Sequence, residues 1–120
     1  MITTETAVKT ANEWIAAWNS HDIDVIMHHY SDDIVFSSPL IVRILDKPDG
    51  TIADKPALKA YFLKGLESYP ELKFELYHVL VGVNSITIYY KSVRNLVATE
   101  VMVLNGEGKI KQCLCHYMEV

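Results

Sequence analysis

Apolar residues recur every three or four positions in three segments of the first half of the chain, a spacing that places them on one face of an α-helix. The first segment runs from about Thr4 to Asn19, the second follows Asp22, and the third follows Asp54. Aspartate is a good N-cap residue, and Pro56 suits the first turn of the third helix. The predicted buried positions are Ala7, Val8, Ala11, Trp14, Ile15, Trp18, Ile23, Ile26, Met27, Tyr30, Leu58, Tyr61, Phe62 and Leu66.

The second half of the chain alternates apolar and polar residues, which predicts β-strands whose side chains point to opposite faces in turn. Strands are expected at Leu72–Val81, Ile86–Val93, Val97–Leu104 and Lys109–Tyr117, with a short one at Ile34–Phe36. The glycine-rich turn Asn105–Gly108 predicts that the last two strands pair as a hairpin. The run Ile41–Leu45 is compatible with a further strand. Helices first and antiparallel strands last predict one α+β domain over residues 1–120.

Glu100 is the one acidic residue in the predicted strand Val97–Leu104, whose faces are otherwise apolar. A carboxylate in such surroundings needs a partner or a function, because burial disfavours its charged form. Glu100 could therefore be a general acid or base with a raised pKa. The structural alternatives are an ion pair with Lys91, Arg94 or His116, or a position facing solvent at a sheet edge.

Composition and charge argue against several classes of protein. Eleven basic and fifteen acidic residues give a net charge of −4, and no basic stripe suggests a nucleic-acid partner. No apolar run reaches the ~20 residues of a membrane span, and the first residues lack the pattern of a signal peptide. We therefore expect a cytoplasmic protein without a membrane partner.

Cys113 and Cys115 lie two residues apart on one predicted strand, where a disulfide would close almost no loop. We expect both to be free thiols in a reducing compartment. Their spacing is not a zinc signature, and a metal site would need further ligands from neighbouring strands. The sequence also carries no phosphate-binding loop or nucleophile elbow, so neither a metal nor a cofactor is expected.

Several short motifs, each weak alone, occur in a specific order along nearly the whole chain. They are Trp14 and Trp18 followed by His21-Asp22, then Tyr30–Ile34, Ser38-Pro39, Gly50 through Asp54–Leu58 with Tyr61-Phe62, and Asn105–Ile110. On these motifs the chain resembles the SnoaL-like branch of the nuclear transport factor 2-like superfamily. The resemblance implies a cone in which a strongly curved, mostly antiparallel sheet wraps around helices and leaves a pocket at its open end. Relatives include steroid isomerases, polyketide cyclases and epoxide hydrolases, so the fold alone does not decide the activity.

The ketosteroid isomerase branch gives the most specific comparison for catalytic positions. By resemblance, its carboxylate base, its tyrosine on the first helix and its protonated acid fall on Ser38, Trp14 and Glu100. Only Glu100 keeps a chemically similar group. A serine cannot take a proton from carbon at neutral pH without help, which argues against steroid-type isomerisation.

Four further polar residues have an expected place in the fold, and two of them have both a functional and a structural interpretation. His78 is expected on the pocket face, where it could relay protons or be a hydrogen-bonded core histidine. Ser38 could donate a hydrogen bond to a ligand or only shape the turn before a proline. Cys113 is expected near the pocket floor, and His116 on the outside of the sheet.

Four aromatic residues, Trp14, Trp18, Tyr90 and Tyr117, could line a pocket for a small apolar or polycyclic molecule or could simply pack in the core, and core packing is the preferred interpretation of Trp18. With Glu100 they allow three functions: proton transfer on a carbonyl-containing substrate, binding of an apolar metabolite without turnover, or an interaction domain. Because relatives commonly pair sheet to sheet, a homodimer is expected. The outer sheet face that would form it consists of Glu75, Tyr77, Val79, Thr87, Tyr89 and Val101.

Overall fold

A computed structural model describes residues 1–119, in which helices pack on a six-stranded mixed sheet. The elements are α1 (Thr4–Ser20), α2 (Ile23–Met27), β1 (Tyr30–Ser37), α3 (Pro39–Leu45), β2 (Thr51–Ile52), α4 (Lys55–Ser68), β3 (Glu75–Val81), β4 (Ser85–Lys91), β5 (Val97–Leu104) and β6 (Ile110–Tyr117). The strand order is β2-β1-β6-β5-β4-β3, and every pair is antiparallel except β1 with β6. The predicted α+β fold is confirmed, and the sheet stays open between its edges β2 and β3.

Capping explains where the first two helices begin and end. The Thr3 side chain accepts a hydrogen bond from the backbone N–H of Thr6, and α1 ends at His21, which adopts a left-handed conformation. The Asp22 carboxylate accepts a hydrogen bond from the backbone N–H of Asp24 at 3.0 Å, so it is the N-cap of α2 as predicted. The sequence therefore locates α1 and the start of α2 correctly.

Two predictions for the middle of the chain are wrong. The run Ile41–Leu45 lies in α3, because Ser38 accepts a hydrogen bond from the backbone N–H of Leu40 at 3.2 Å and Pro39 occupies the first turn. This capping signal outweighs the strand preference of the β-branched residues. The second helix was expected to reach Tyr30, but Tyr30 already pairs with β6 as the first residue of β1.

A bulge in β3 changes which side chains face the helices. The register of β3 on β4 shifts between Leu76 and His78, so Val79 pairs with Ile88 and faces the core. The expected positions of two residues are therefore wrong: His78 does not line the interior, and Val79 does not belong to the outer face. A bulge places two residues opposite one and reverses the alternation beyond it.

The helices cover one face of the sheet and enclose the core with it. The α1 helix packs on β3, and α4 packs on β1 and β2. The side chain of Asn19 fixes the chain just before β3, since its amide donates to the carbonyl of Phe74 at 3.0 Å and accepts from the same residue's N–H at 2.7 Å. Among the described residues, none of the helices has the length and hydropathy needed to cross a membrane.

Candidate functional site

A cavity of about 260 Å³ lies between the sheet and helices α1, α3 and α4. Many of its lining side chains are aromatic, and the carboxyl group that lines it is that of Glu100 on β5. At ~30 Å³ per water molecule, the volume corresponds to roughly nine waters. The space therefore suits one small organic molecule.

The aromatic wall is held rigidly by contacts among its own rings. Trp14 stacks on Phe74 with centroids 5.6 Å apart and meets Tyr90 edge-on at 5.3 Å. The indole N–H of Trp14 also donates a hydrogen bond to the hydroxyl of Tyr30 at 3.0 Å. These contacts fix Trp14 in one orientation, so the wall has a defined shape before any ligand binds.

Glu100 is only 4% exposed and is hydrogen-bonded at both carboxyl oxygens. The hydroxyl of Tyr90 donates to Oε2 at 2.5 Å. The thiols of Cys113 and Cys115 lie 3.2 Å and 3.3 Å from Oε1. Within residues 1–119 no basic side chain lies in salt-bridge contact with this carboxyl. The alternative of an ion pair with Lys91 is excluded, since Lys91 pairs with Glu75 at 3.2 Å.

Burial raises the pKa of Glu100 above its ordinary value of 4.5, and the hydrogen bonds from Tyr90, Cys113 and Cys115 offset only part of that rise. The carboxyl is therefore biased towards its neutral form. A neutral carboxyl can also donate from Oε2 to the tyrosine oxygen, which frees the phenolic proton to turn towards the cavity. Burial also raises the pKa of Tyr90, well above its ordinary value of 10.0, so the phenol stays protonated.

Three more hydroxyl groups line the cavity near Glu100, on Ser38, Tyr61 and Tyr117. Burial raises the pKa values of both phenols, and the charges of Cys115 and Glu100 raise them further. The Ser38 hydroxyl lies close enough to both to counteract part of this rise. The cavity thus has a polar side made of neutral hydrogen-bond donors in addition to the aromatic wall.

One buried polar atom of the cavity wall has no hydrogen-bond partner within residues 1–119, the indole nitrogen of Trp18. It lies near the Tyr30 hydroxyl, where it opposes the rise in the pKa of Tyr30 that burial causes. The geometry does not make a hydrogen bond. A buried N–H without an acceptor costs about 1–3 kcal/mol, which a ligand oxygen could recover.

The structure brings five of the predicted site residues together around the cavity: Glu100, Trp14, Ser38, Tyr90 and Tyr117. Two others lie elsewhere. His78 is exposed and stacks on Tyr89 on the outer face, at a centroid distance of 5.9 Å. Cys113 is fully buried, with its thiol 3.2 Å from Oε1 of Glu100, and it does not line the cavity.

Sequence reasoning missed the cavity role of several residues that it assigned to the core. Tyr61 and Phe62 of α4 and Trp18 of α1 line the cavity. Tyr61 carried a signal that could have been used, since a phenol on an apolar helix stripe needs a polar neighbour. His116 is exposed on the outer face, as expected.

Glu100, Cys113 and Cys115 also form the one group of at least three potential metal ligands within the described residues. Their ligand atoms all lie within 4.8 Å of one another, and all three residues are buried.

Comparisons with known proteins agree with this architecture. The SnoaL-like domain profile matches residues 11–109. A SnoaL-like protein of unknown function from Burkholderia thailandensis is 38% identical, with 98% of each chain covered and a TM-score of 0.93. Among curated proteins, none matches this sequence.

Two more distant structures share the fold. A protein from Agrobacterium tumefaciens described as a candidate isomerase of the SnoaL-like family is 17% identical, covers 95% of this chain and 98% of its own, and has a TM-score of 0.76. A protein of unknown function with a cystatin-like fold from Methylobium petroleophilum is 10% identical, covers 99% of this chain and 80% of its own, and has a TM-score of 0.78. On the profile match and the Burkholderia structure, the chain belongs to the SnoaL-like family.

Proposed function

We propose that the protein binds a small, uncharged, mostly apolar molecule carrying a carbonyl oxygen and exchanges a proton with it through Glu100. The observation that carries this proposal is the buried carboxyl at the polar side of the cavity, with Tyr90 at 2.5 Å and no basic partner within residues 1–119. A carboxyl biased towards its neutral form can donate a proton or a hydrogen bond at neutral pH.

The surroundings of Glu100 support an uncharged ligand. The cavity is apolar on the side of Trp14 and Phe74, and its polar side carries neutral phenols and a neutral acid. An ionic group placed beside Glu100 would lose its hydration without gaining a buried counter-ion, because Lys64, the cationic side chain that lines the cavity, is exposed to solvent. A carbonyl oxygen, in contrast, can accept a hydrogen bond from Tyr90 or from Tyr61 and Tyr117.

The reaction class proposed is isomerisation or cyclisation by proton transfer. Glu100 and Tyr90 supply a proton at the ligand oxygen, and the phenols of Tyr61 and Tyr117 stabilise charge that develops there. The fold relationship to the candidate isomerase from Agrobacterium tumefaciens is compatible with this class. A water molecule in the cavity takes the proton that leaves carbon, since Ser38 is engaged in capping α3.

The test is proton exchange at carbon, followed by NMR in D₂O with a panel of small cyclic ketones and enones. Wild type should accelerate exchange at carbons next to the carbonyl, and Glu100→Gln should abolish the acceleration while the protein stays folded. The matched control is Glu75→Gln, which changes an exposed acid on the outer face. Exchange that persists in Glu100→Gln would falsify the assignment of the proton to this residue.

A second candidate is binding without turnover, favoured by the absence of a carboxylate at position 38, where Ser38 stands. In this case ligands would bind in the cavity but exchange would equal the uncatalysed rate in wild type. Native mass spectrometry of the freshly purified protein should then show a small molecule that denaturation releases. Trp14 and Trp18 both line the cavity, so tryptophan fluorescence reports its occupancy in either case.

We also propose that the protein forms a homodimer and resides in the cytoplasm. Support for the dimer comes from exposed apolar side chains on the outer sheet face, including Leu80, 56% exposed, and Tyr77, 40% exposed. Two free, buried thiols support a reducing compartment.

A further inference from the structure

The register of β5 on β6 places two thiols and a carboxyl at one point. Glu100 pairs directly with Cys115, and Cys113 lies on the same face of β6, two residues before Cys115. The sulfur atoms lie 3.2 Å and 3.3 Å from Oε1 of Glu100, and the ligand atoms are all within 4.8 Å of one another. We propose that Glu100, Cys113 and Cys115 form a binding site for a thiophilic divalent cation of the zinc class.

The distances are close to those that such a cation imposes. Zinc binds thiolate sulfur at about 2.3 Å and carboxyl oxygen at about 2.0–2.2 Å in a tetrahedron, so neighbouring ligand atoms are separated by about 3.5–3.8 Å. The two sulfur-to-oxygen separations need to lengthen by only a few tenths of an ångström.

The chemistry of the donors selects the kind of cation. Two thiols and one carboxyl oxygen suit zinc, cadmium or cobalt, whereas magnesium and calcium prefer all-oxygen sites. The spacing of the cysteines alone gave no such signal, because the third ligand comes from the neighbouring strand. The structure supplies that ligand as Glu100.

The charges balance if the cation replaces two thiol protons. The metal ion binds Cys113 and Cys115 as thiolates, both sulfur protons leave to solvent, and the cation's two positive charges are cancelled. Glu100 ligates through Oε1, and Tyr90 keeps its contact with Oε2. Cancelling the charge of the cation on the two thiolates avoids the cost of an unpaired charge in a buried site. The other titratable groups facing the cluster are the phenols of Tyr30, Tyr61, Tyr90 and Tyr117.

Binding releases the thiol protons, so it should become tighter as pH rises.

The cavity gives the cation a route to the cluster and a place for a fourth ligand. Glu100 and Cys115 line the cavity, and Cys113 lies behind them. A water molecule in the cavity can complete the tetrahedron. This site does not rest on the proposed proton transfer. A cation bound to the Glu100 carboxyl would instead inhibit the proton transfer, because both use the same group.

The experiment is a titration of the reduced, metal-free protein with Cd²⁺. Cadmium thiolates absorb in the near ultraviolet through sulfur-to-metal charge transfer, which histidine and carboxylate sites on the surface do not show. The expected result is one Cd²⁺ per chain and two protons released, measured with a pH indicator in weak buffer. Co²⁺ should give the visible bands of a tetrahedral site.

Variants separate this proposal from the proposed function. Cys113→Ser should weaken Cd²⁺ binding by more than about 100-fold, since even outer-shell changes cost 10–100-fold. Glu100→Gln keeps a neutral carbonyl oxygen, so it should retain the charge-transfer band although proton exchange is lost. The site is refuted if wild type, folded by circular dichroism after overnight incubation, shows no band, or if the band survives in Cys113→Ser.

Discussion

Tyr90 and Glu100 meet diagonally across two neighbouring strands. Tyr90 pairs in register with Ala98, and Glu100 pairs with Ile88, so both side chains lie on the inner face two residues apart. This diagonal brings the tyrosine hydroxyl to 2.5 Å from Oε2. Because the register is fixed by the β4–β5 pairing, the acid is positioned by the sheet and not by a mobile loop.

Replacing Tyr90 by phenylalanine should raise the pKa of Glu100 further, since the hydrogen bond from Tyr90 lowers it. It should also reduce the free energy of unfolding by about 1–3 kcal/mol, because Oε2 loses its partner in a buried site. Urea denaturation and infrared spectroscopy of the protonated carboxyl measure the two effects. The control is Tyr89→Phe on the outer face, which removes the same atom from a half-buried position. Equal losses in both variants would contradict the role of the contact.

The stability of the protein should depend on pH through Glu100, with a defined sign. Its pKa in the folded state is raised above the ordinary value of 4.5, so between these two pKa values the folded state holds more protons than the unfolded state. The contribution of Glu100 is thus fully present below about pH 4.5 and is lost as pH rises through the folded pKa, at up to about 1.4 kcal/mol per pH unit.

The measurement is the difference in unfolding free energy between wild type and Glu100→Gln, which cannot ionise, from about pH 4 to pH 8. Wild type should lose stability relative to the variant as pH rises. A parallel series on Glu75→Gln controls for effects of pH on the rest of the protein. If wild type keeps or gains stability relative to Glu100→Gln as pH rises, the folded carboxyl is ionised.

The two indoles of α1 should respond differently to the same substitution. Trp14 donates a hydrogen bond to Tyr30 at 3.0 Å, whereas the N–H of Trp18 has no acceptor within the described part of the chain. Changing either to phenylalanine removes similar ring area, but only Trp14→Phe also removes a buried hydrogen bond. Its destabilisation should exceed that of Trp18→Phe by about 1–3 kcal/mol in chemical denaturation. The reverse order would show that the Trp14–Tyr30 bond adds nothing.

The spacing of apolar residues correctly predicts those helices and strands whose apolar positions are the ones buried in the fold. The hairpin β5–β6 follows from strict alternation on both sides of a glycine-rich turn, and α1 follows from a long apolar stripe closed by caps. The error at Ile41–Leu45 arises because a capping signal outweighs strand propensity. Ser38 and Pro39 start a helix in a run of β-branched residues.

The misplacement of His78 has a different cause, because it depends on pairing that no local pattern records. One bulge in β3 shifts the register on β4 and turns every later side chain of the strand over. The third ligand beside Cys113 and Cys115 was unpredictable for the same reason, since it comes from another strand. Sites built across strands need the register before their members can be named.

Self-association through the outer sheet face should be sensitive to charge at its apolar centre. Leu80 on β3 and Leu114 on β6 are 56% and 37% exposed, and a second sheet packed on this face would bury both. Leu114→Glu would place a carboxylate in that contact, where losing its hydration opposes association. Light scattering coupled to size exclusion should show a dimer for wild type and a monomer for Leu114→Glu. Leu63→Glu on α4, a leucine 42% exposed away from the sheet, should remain dimeric. A monomeric wild type, or a Leu114→Glu variant that dimerises as tightly as wild type, would exclude this face as the dimer contact.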